Sequence, residues 1–256
     1  MSIQTELTRL TNAKAAIQTA IEGKGVTVPD GTLLDGMAAL IESIEAGGGA
    51  TEPYIEEVID GNKDLTNATL HGYTIIRNNA FYYCSKLALT SLPSGITSIG
   101  NNAFYSCKNL ALTSLPSGVT SIGNSAFNNC SKLALTSLSS GLTSIGNNTF
   151  SGCTKLALTS LPSGLTSIGD RAFSSCLSLA LTSLPSGLTS IGDYAFNNCS
   201  KLASLTFEGE PESISDTAFN GCANLTTINV PWTQGAVANA PWGAKNATIH
   251  YNYTGA

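Results

Sequence analysis

Between Phe81 and Leu225 the apolar positions follow neither the 3.6-residue period of a helix nor simple alternation; they form a block that returns every 23 residues. The cysteines mark it most plainly: Cys84, Cys107, Cys130, Cys153, Cys176, Cys199 and Cys222. Three residues before each stands Phe81, Phe104, Phe127, Phe150, Phe173, Phe196 or Phe219. Three residues after each stands Leu87, Leu110, Leu133, Leu156, Leu179, Leu202 or Leu225. A fixed period of this length is the signature of stacked coils, each too small to bury its own apolar face.

The fold expected is therefore a leucine-rich-repeat solenoid, made mainly of short parallel β-strands with turns and single helical turns. In each coil "KLALTSLP" supplies the main strand and "LTSIG" a second short one, with Ile99, Ile122, Ile145, Ile168 and Ile191 pointing inward. Gly100, Gly123, Gly146, Gly169 and Gly192 follow and are expected to turn the chain with a left-handed dihedral. "NNAFYSC" has room for one helical turn, which carries Phe and Cys to the core. Stacking would place Phe on Phe and Cys on Cys, and Asn101, Asn124, Asn147, Asp170 and Asp193 beside neighbouring backbone at the turn.

The ends depart from this period. Residues 1–46 read as two helices, the first with Ile3, Leu7, Leu10, Ile17 and Ile21 on one stripe. The second opens at Thr32 and Asp35, which resemble a capping box, and carries Leu33, Leu34, Met37, Leu40, Ile41 and Ile44. Two such helices leave their stripes unpaired, which points to self-association, attachment to a particle, or folding back on the repeats. Residues 47–52 hold Gly47-Gly48-Gly49 and read as a joint. The solenoid then runs over 53–256, with an N-terminal cap at 53–80, repeats at 81–230 and a C-terminal cap at 231–256.

Charge sharpens the boundary. Residues 1–64 hold eleven acidic and four basic side chains, whereas Cys84 to Asn198 hold two acids and five bases. Charged residues are only 11% of the chain and the net charge is -5, a poor footprint for nucleic acid. No apolar run is long enough to span a membrane, and the N-terminus lacks the pattern of a classical secretion signal.

Candidate chemistry is sparse. Seven cysteines at 23-residue spacing, without nearby His, suit a ladder of buried thiols better than a metal site or a disulfide framework. His71 and His250 lie far apart in sequence, and Glu208, Glu210, Glu212 and Asp216 read as a solvated loop. These features argue against an enzyme and call for no metal and no cofactor. The remaining candidates are surfaces. Thr90, Thr113, Thr136, Thr159 and Thr182 form a column of hydroxyls that could bond sugars or a protein edge, or simply be a solvated face. No aromatic residues alternate with them. Trp232 and Trp242 either cap the last coil or, with Tyr251, frame an aromatic ligand site.

The unit "SIGNSAFNNCSKL", led by Pro-Ser-Gly and Val or Leu-Thr, resembles the BspA-type leucine-rich repeat family over roughly residues 65–230. That resemblance implies a curved right-handed solenoid and, for many members, a bacterial surface protein that adheres to host proteins or other cells. The chain departs from the family pattern six residues after Cys, where Thr90 and its equivalents replace an aliphatic residue and Leu89, Leu112, Leu135, Leu158 and Leu181 precede them. Two-residue alternation cannot put Leu89 and Leu92 on one face, so either the strand bulges or the Leu89 column is exposed. The segments "AIQTAIEGKGVTVPDGTLLDGMAALIESI" and "PWGAKNATIHYN" resemble parts of phage and prophage tail-associated proteins of gut bacteria. This second resemblance implies a tail-associated structural protein with a receptor-binding repeat surface, located in the virion after cytoplasmic assembly. A bacterial surface adhesin and a ligand-free spacer are the alternatives.

Overall fold

The computed structural model describes residues 73–254. The chain divides into two units, Met1–Glu57 and Val58–Ala256, and all described residues lie in the second. The helices expected over 1–46, the joint at 47–52 and most of the expected N-terminal cap fall outside the described residues.

The described residues form a parallel β-solenoid with a 23-residue repeat. One side of each coil carries a two-residue strand: β1 (Ile75–Ile76), β2 (Ser98–Ile99), β3 (Ser121–Ile122), β4 (Ser144–Ile145), β5 (Ser167–Ile168), β7 (Ser190–Ile191) and β9 (Ser213–Ile214). These pair in parallel and in register, Ile99 against Ile122 and Ile168 against Ile191. The isoleucine of each strand is buried and the residue before it faces outward, as the two-residue side-chain period requires.

The single helical turns do not form: no helix exists among the described residues. Over the Phe–Cys segment alternate amides point in different directions. The N–H groups of Asn102, Phe104 and Ser106 donate to the carbonyls of Asn124, Ala126 and Asn128 in the next coil, at 2.9, 2.7 and 2.7 Å. Those of Ala103, Tyr105 and Cys107 donate three residues back, to Gly100, Asn102 and Phe104. A helix would keep all these amides for itself and leave the neighbouring coil without donors. The alternation is achieved by left-handed residues four apart, such as Asn102 (φ 54) and Ser106 (φ 58), which no right-handed helix contains.

The glycine expectation also needs correction. Gly100 and its equivalents are not left-handed; they are absent from the positive-φ positions, where Gly152, Gly221, Gly235 and Gly243 are found. What requires glycine is proximity. A Cβ on Gly100 would stand 2.5 Å from the amide nitrogen of Asn78 in the preceding coil. The Asn column beside it closes the same gap: the N–H groups of Asn101, Asn124, Asn147, Asp170 and Asp193 donate to the side-chain oxygen 23 residues earlier, at 2.7 to 2.9 Å.

The main strand expected in every coil appears only toward the C-terminus, as β6 (Ser183–Leu184), β8 (Ser204–Phe207), β10 (Thr227–Asn229) and β11 (Thr248–His250). Their order in the sheet is β11-β10-β8-β6. Earlier coils make a single bond here, such as Ala111 N–H to Leu89 O at 3.0 Å. The Leu89 column is buried, at 3% exposure or less, and Leu92 is buried with it. In that coil the chain bends outward through Thr90 and Ser91 to turn both leucines inward, whereas Leu115, Leu138 and Leu161 in the next three coils are half-buried; the three-residue spacing breaks the strand in each. Leu205 and Phe207 are two residues apart, so β8 can remain straight.

The core is columnar. The seven phenylalanines of the repeat register are fully buried, and successive rings from Phe81 to Phe219 stack nearly parallel, with centroids 5.0 to 5.6 Å apart. The pairing of two-residue strands is interrupted once, between β3 and β4. That break falls in the coil where Ser139 replaces the proline found at 93, 116, 162 and 185, and Thr149 replaces the alanine found at 103, 126 and 172. Both are buried. Ser139 Oγ donates to Ser117 O at 2.8 Å, and Thr149 Oγ1 donates to Gly146 O at 2.9 Å. Ring separation reaches 5.6 Å on both sides of Phe150, the neighbour of Thr149.

At the C-terminal end Trp242 falls 23 residues after Phe219, in the phenylalanine column, and its carbonyl accepts the Phe219 N–H at 2.9 Å. Trp242 is fully buried and Trp232 nearly so; both pack on Phe207, at 5.8 and 5.3 Å between centroids.

Candidate binding surface

The thiols are part of the scaffold. Each is free, and from Cys107 onward each Sγ donates to the carbonyl of the phenylalanine 26 residues earlier, at 2.9 to 3.1 Å. A thiol can donate this bond only while protonated. Burial pushes the thiols of Cys130, Cys176 and Cys199 well above the usual range, with a lesser contribution from neighbouring cysteines. Cys222, nearer the end, is pushed up to about 11, again by burial. Protonated, hydrogen-bonded thiols in an apolar column are poor nucleophiles and poor ligands. Among the described residues no group of three or more His, Cys, Asp or Glu could hold a metal.

Trp232 and Trp242 close the last coil. Trp242 Nε1 donates to Ala238 O at 2.7 Å. With both indoles buried, neither offers a face to a ligand between them and Tyr251, whereas Tyr253 is exposed. His250 and the carboxylates Glu208, Glu210, Glu212 and Asp216 are exposed; His71 is outside the described residues.

The Thr90, Thr113, Thr136, Thr159 and Thr182 side chains are all exposed. None of the five hydroxyls is bonded within the described residues. A second threonine column differs: Thr97, Thr166 and Thr189 donate to the carbonyls of Thr74, Thr143 and Thr166 at 2.9 to 3.1 Å and so consume their own donors. The first column offers hydroxyls to solvent or to a partner. The second is spent on the scaffold.

Sequence reasoning missed one feature. At the N-terminal end of the described coils, Tyr82 and Tyr83 are 43% and 57% exposed. The Tyr82 ring stacks on that of Tyr105 at 5.0 Å, and Tyr83 meets both edge-on at 4.6 and 5.4 Å. Desolvation first, then the neighbouring Tyr83 and Tyr105, raise the Tyr82 hydroxyl above its ordinary range. Beyond Tyr83 runs an open groove of about 670 Å³, lined by Ser85, Ser106, Lys108, Asn129, Ser131 and Thr154. The signal was present in the repeat: later coils put Asn128, Ser151, Ser174 and Asn197 in the column of Tyr82 and Tyr105. Aromatics standing where the period calls for small polar residues could have been found by comparing coils.

The model of the BspA type leucine rich repeat region matches residues 60–176 and 132–239, with 6 copies. No curated protein matches the chain. Among solved structures it is similar to a leucine rich cell surface protein from Faecalibacterium prausnitzii, 26% identical, with a TM-score of 0.49, over 65% of this chain and 54% of that one. It is also similar to a leucine rich repeat protein of T. pallidum, 32% identical, TM-score 0.41, over 62% and 65% of the two chains. A leucine-rich repeat protein from Bacteroides ovatus is 23% identical, TM-score 0.42, over 70% and 58%. The chain thus spans between about half and two thirds of the length of these relatives.

The expected virion location does not stand. The family match is to the repeat region, and the similar structures are leucine-rich repeat proteins, one of them a cell surface protein, not tail components. The matched residues include neither of the terminal segments from which a tail origin was argued. What the chain is can be said more coarsely: a non-enzymatic repeat scaffold of the kind that binds through its surface. No helix among the described residues is long and apolar enough to cross a membrane.

Proposed function

From the premise that this chain belongs to the BspA-type leucine-rich repeat family, we propose that it is an adhesion module displayed at a bacterial surface, binding proteins or glycans of a host or a neighbouring cell. One observation carries the reading. From Cys107 onward every thiol is spent on the preceding coil and alternate turn amides on the following one, while the Thr90 column leaves five exposed hydroxyls unbonded and in register along the stack. Such a surface recognises a partner by hydrogen bonds and shape. With 11% charged residues it does so with little electrostatic steering.

The F. prausnitzii protein, described as a cell surface protein, supports the placement by analogy. The test is saturable binding of the full chain to immobilised extracellular matrix proteins and to intact bacterial and epithelial cells. Binding that saturates on a subset of these surfaces is expected. Uniform absence of binding would reduce the chain to a spacer and sink the reading.

A further inference from the structure

We propose that the tyrosine cluster Tyr82, Tyr83 and Tyr105, with the groove running from it past Lys108 to Thr154, is a glycan-binding site that takes an extended chain of about three pyranose rings. This rests on the surface-recognition reading above and names the ligand class for one part of that surface.

Three observations converge. The first is aromatic exposure. Tyrosines usually bury most of the ring, yet here three adjacent rings form a shelf and two of them are largely open. The negative face of an aromatic ring attracts the polarised C–H groups on the flat face of a pyranose, and the tyrosine hydroxyl adds a donor and acceptor at its rim.

The second is backbone strain. Tyr83 has φ 58, in the left-handed region that bulky side chains rarely enter. At the same place in later coils stand Ser106, Asn129, Gly152, Ser175, Asn198 and Gly221, which are small or tolerant of that conformation. Tyr83 holds a large ring at an unfavourable backbone position and points it at solvent, where it contributes little to the core. Strain whose only packing return is edge-on contact with Tyr82 and Tyr105 fits a binding position.

The third is the lining. Beyond the shelf the groove presents Ser85, Ser106, Asn129, Ser131 and Thr154, with the Lys108 ammonium as the single charge. Hydroxyls and amides both donate and accept, which suits a ligand covered in hydroxyls. The groove crosses four coils, from Tyr83 to Gly152. Three steps of about 4.8 Å give roughly 15 Å, the reach of an extended trisaccharide. A volume of about 670 Å³ has the size of a small-ligand site. An apolar peptide would find the shelf but would leave the groove's polar groups unpaired. A nucleic acid would meet only one cation there.

The test uses the full chain and an immobilised panel of soluble oligosaccharides: neutral hexose chains, N-acetylhexosamine chains and uronate-containing chains. The first two arms sample wall and host polymers separately and the third asks whether Lys108 selects an acidic sugar. Tyr83→Asn and Tyr105→Asn are the variants of choice, because each installs a residue the chain itself uses in that column (Asn129 and Asn128) and so preserves the fold. Binding to at least one arm is expected, with affinity falling tenfold or more in either variant and unchanged in Lys201→Ala, an exposed position outside both surfaces. Melting temperatures should stay level across all of them. The site is refuted if no arm is bound, or if the Asn variants bind like the parent. If the parent adheres to cells while either refuting result is obtained, the groove assignment alone fails and the adhesion reading survives; absence of both kinds of binding removes the two together.

Discussion

Each coil has two unlike sides. On the turn side, from Gly100 to Cys107 and its equivalents, seven coils repeat the same ring stack, and nearly the same amide alternation and thiol bonds. On the leucine side the early coils bend through Thr90 and Ser91, and the later ones straighten into β8 and β10. The difference shows which constraint dominates. Where side chain and backbone both find partners in the next coil, sequence variation is suppressed. Where burial of the Leu89 column is the main demand, the backbone is free to break its strand to meet it.

The largest effect should come from raising pH, which attacks the turn side alone. A thiol held well above its unfolded value near 8.5 keeps its proton in the folded state while the unfolded chain loses it. Its stabilising contribution is complete below pH 8.5 and falls as pH rises toward the folded value. At pH 10 the loss is about 2 kcal/mol per thiol, and for the six from Cys107 to Cys222 on the order of 10 kcal/mol, comparable with the whole stability of a domain. Urea midpoints measured from pH 7 to pH 10 should collapse above pH 8.5. A flat profile would mean that the thiols are not held as described.

Phe127→Ala removes one fully buried ring from the stack and should lower stability by about 3–5 kcal/mol in chemical denaturation. Deleting a whole 23-residue unit, such as residues 108–130, should be better tolerated, because it rejoins the same surfaces. If the deletion has the same or a lower unfolding midpoint, the equivalence of the coils is wrong.

On the leucine side, exchanging Leu181 for Ser and Thr182 for Leu gives the coil beside β8 the two-residue spacing of Leu205 and Phe207. We expect β6 to lengthen, with slower amide exchange at 181–184 and a stability change of about 1 kcal/mol or less. Unaltered exchange rates would disprove the account of the bend. The smallest effect is expected from Thr136→Ala, within about 0.5 kcal/mol, since its hydroxyl is exposed and unbonded.

Much of the solenoid was legible because 23-residue spacing can be counted: the parallel in-register strands at Ile99 to Ile191 follow from it directly. The Phe–Cys segment was not legible as turns, since "NNAFYSC" has ordinary local helix content and only the neighbouring coil's need for donors decides against it. Gly100 shows the same limit. Its requirement arises from Asn78 of another coil, and no local dihedral preference reveals that. The Tyr83 groove was hidden for a different reason: attention to what repeats passes over the residues that do not.

The buried hydroxyls of Ser139 and Thr149 bear on how such a chain finds its alignment. Coils with nearly identical edges can zip together one unit out of step, leaving a loop of 23 residues and losing little per contact. Neither hydroxyl forbids such a slip: Thr149 already lies between Ala126 and Ala172, the residue type every other coil would offer, and it bonds Gly146 O of its own turn. Alignment therefore falls to the coils that are unlike the rest, such as the one closed by Trp242, and a chain of equal units is registered from its edge inward.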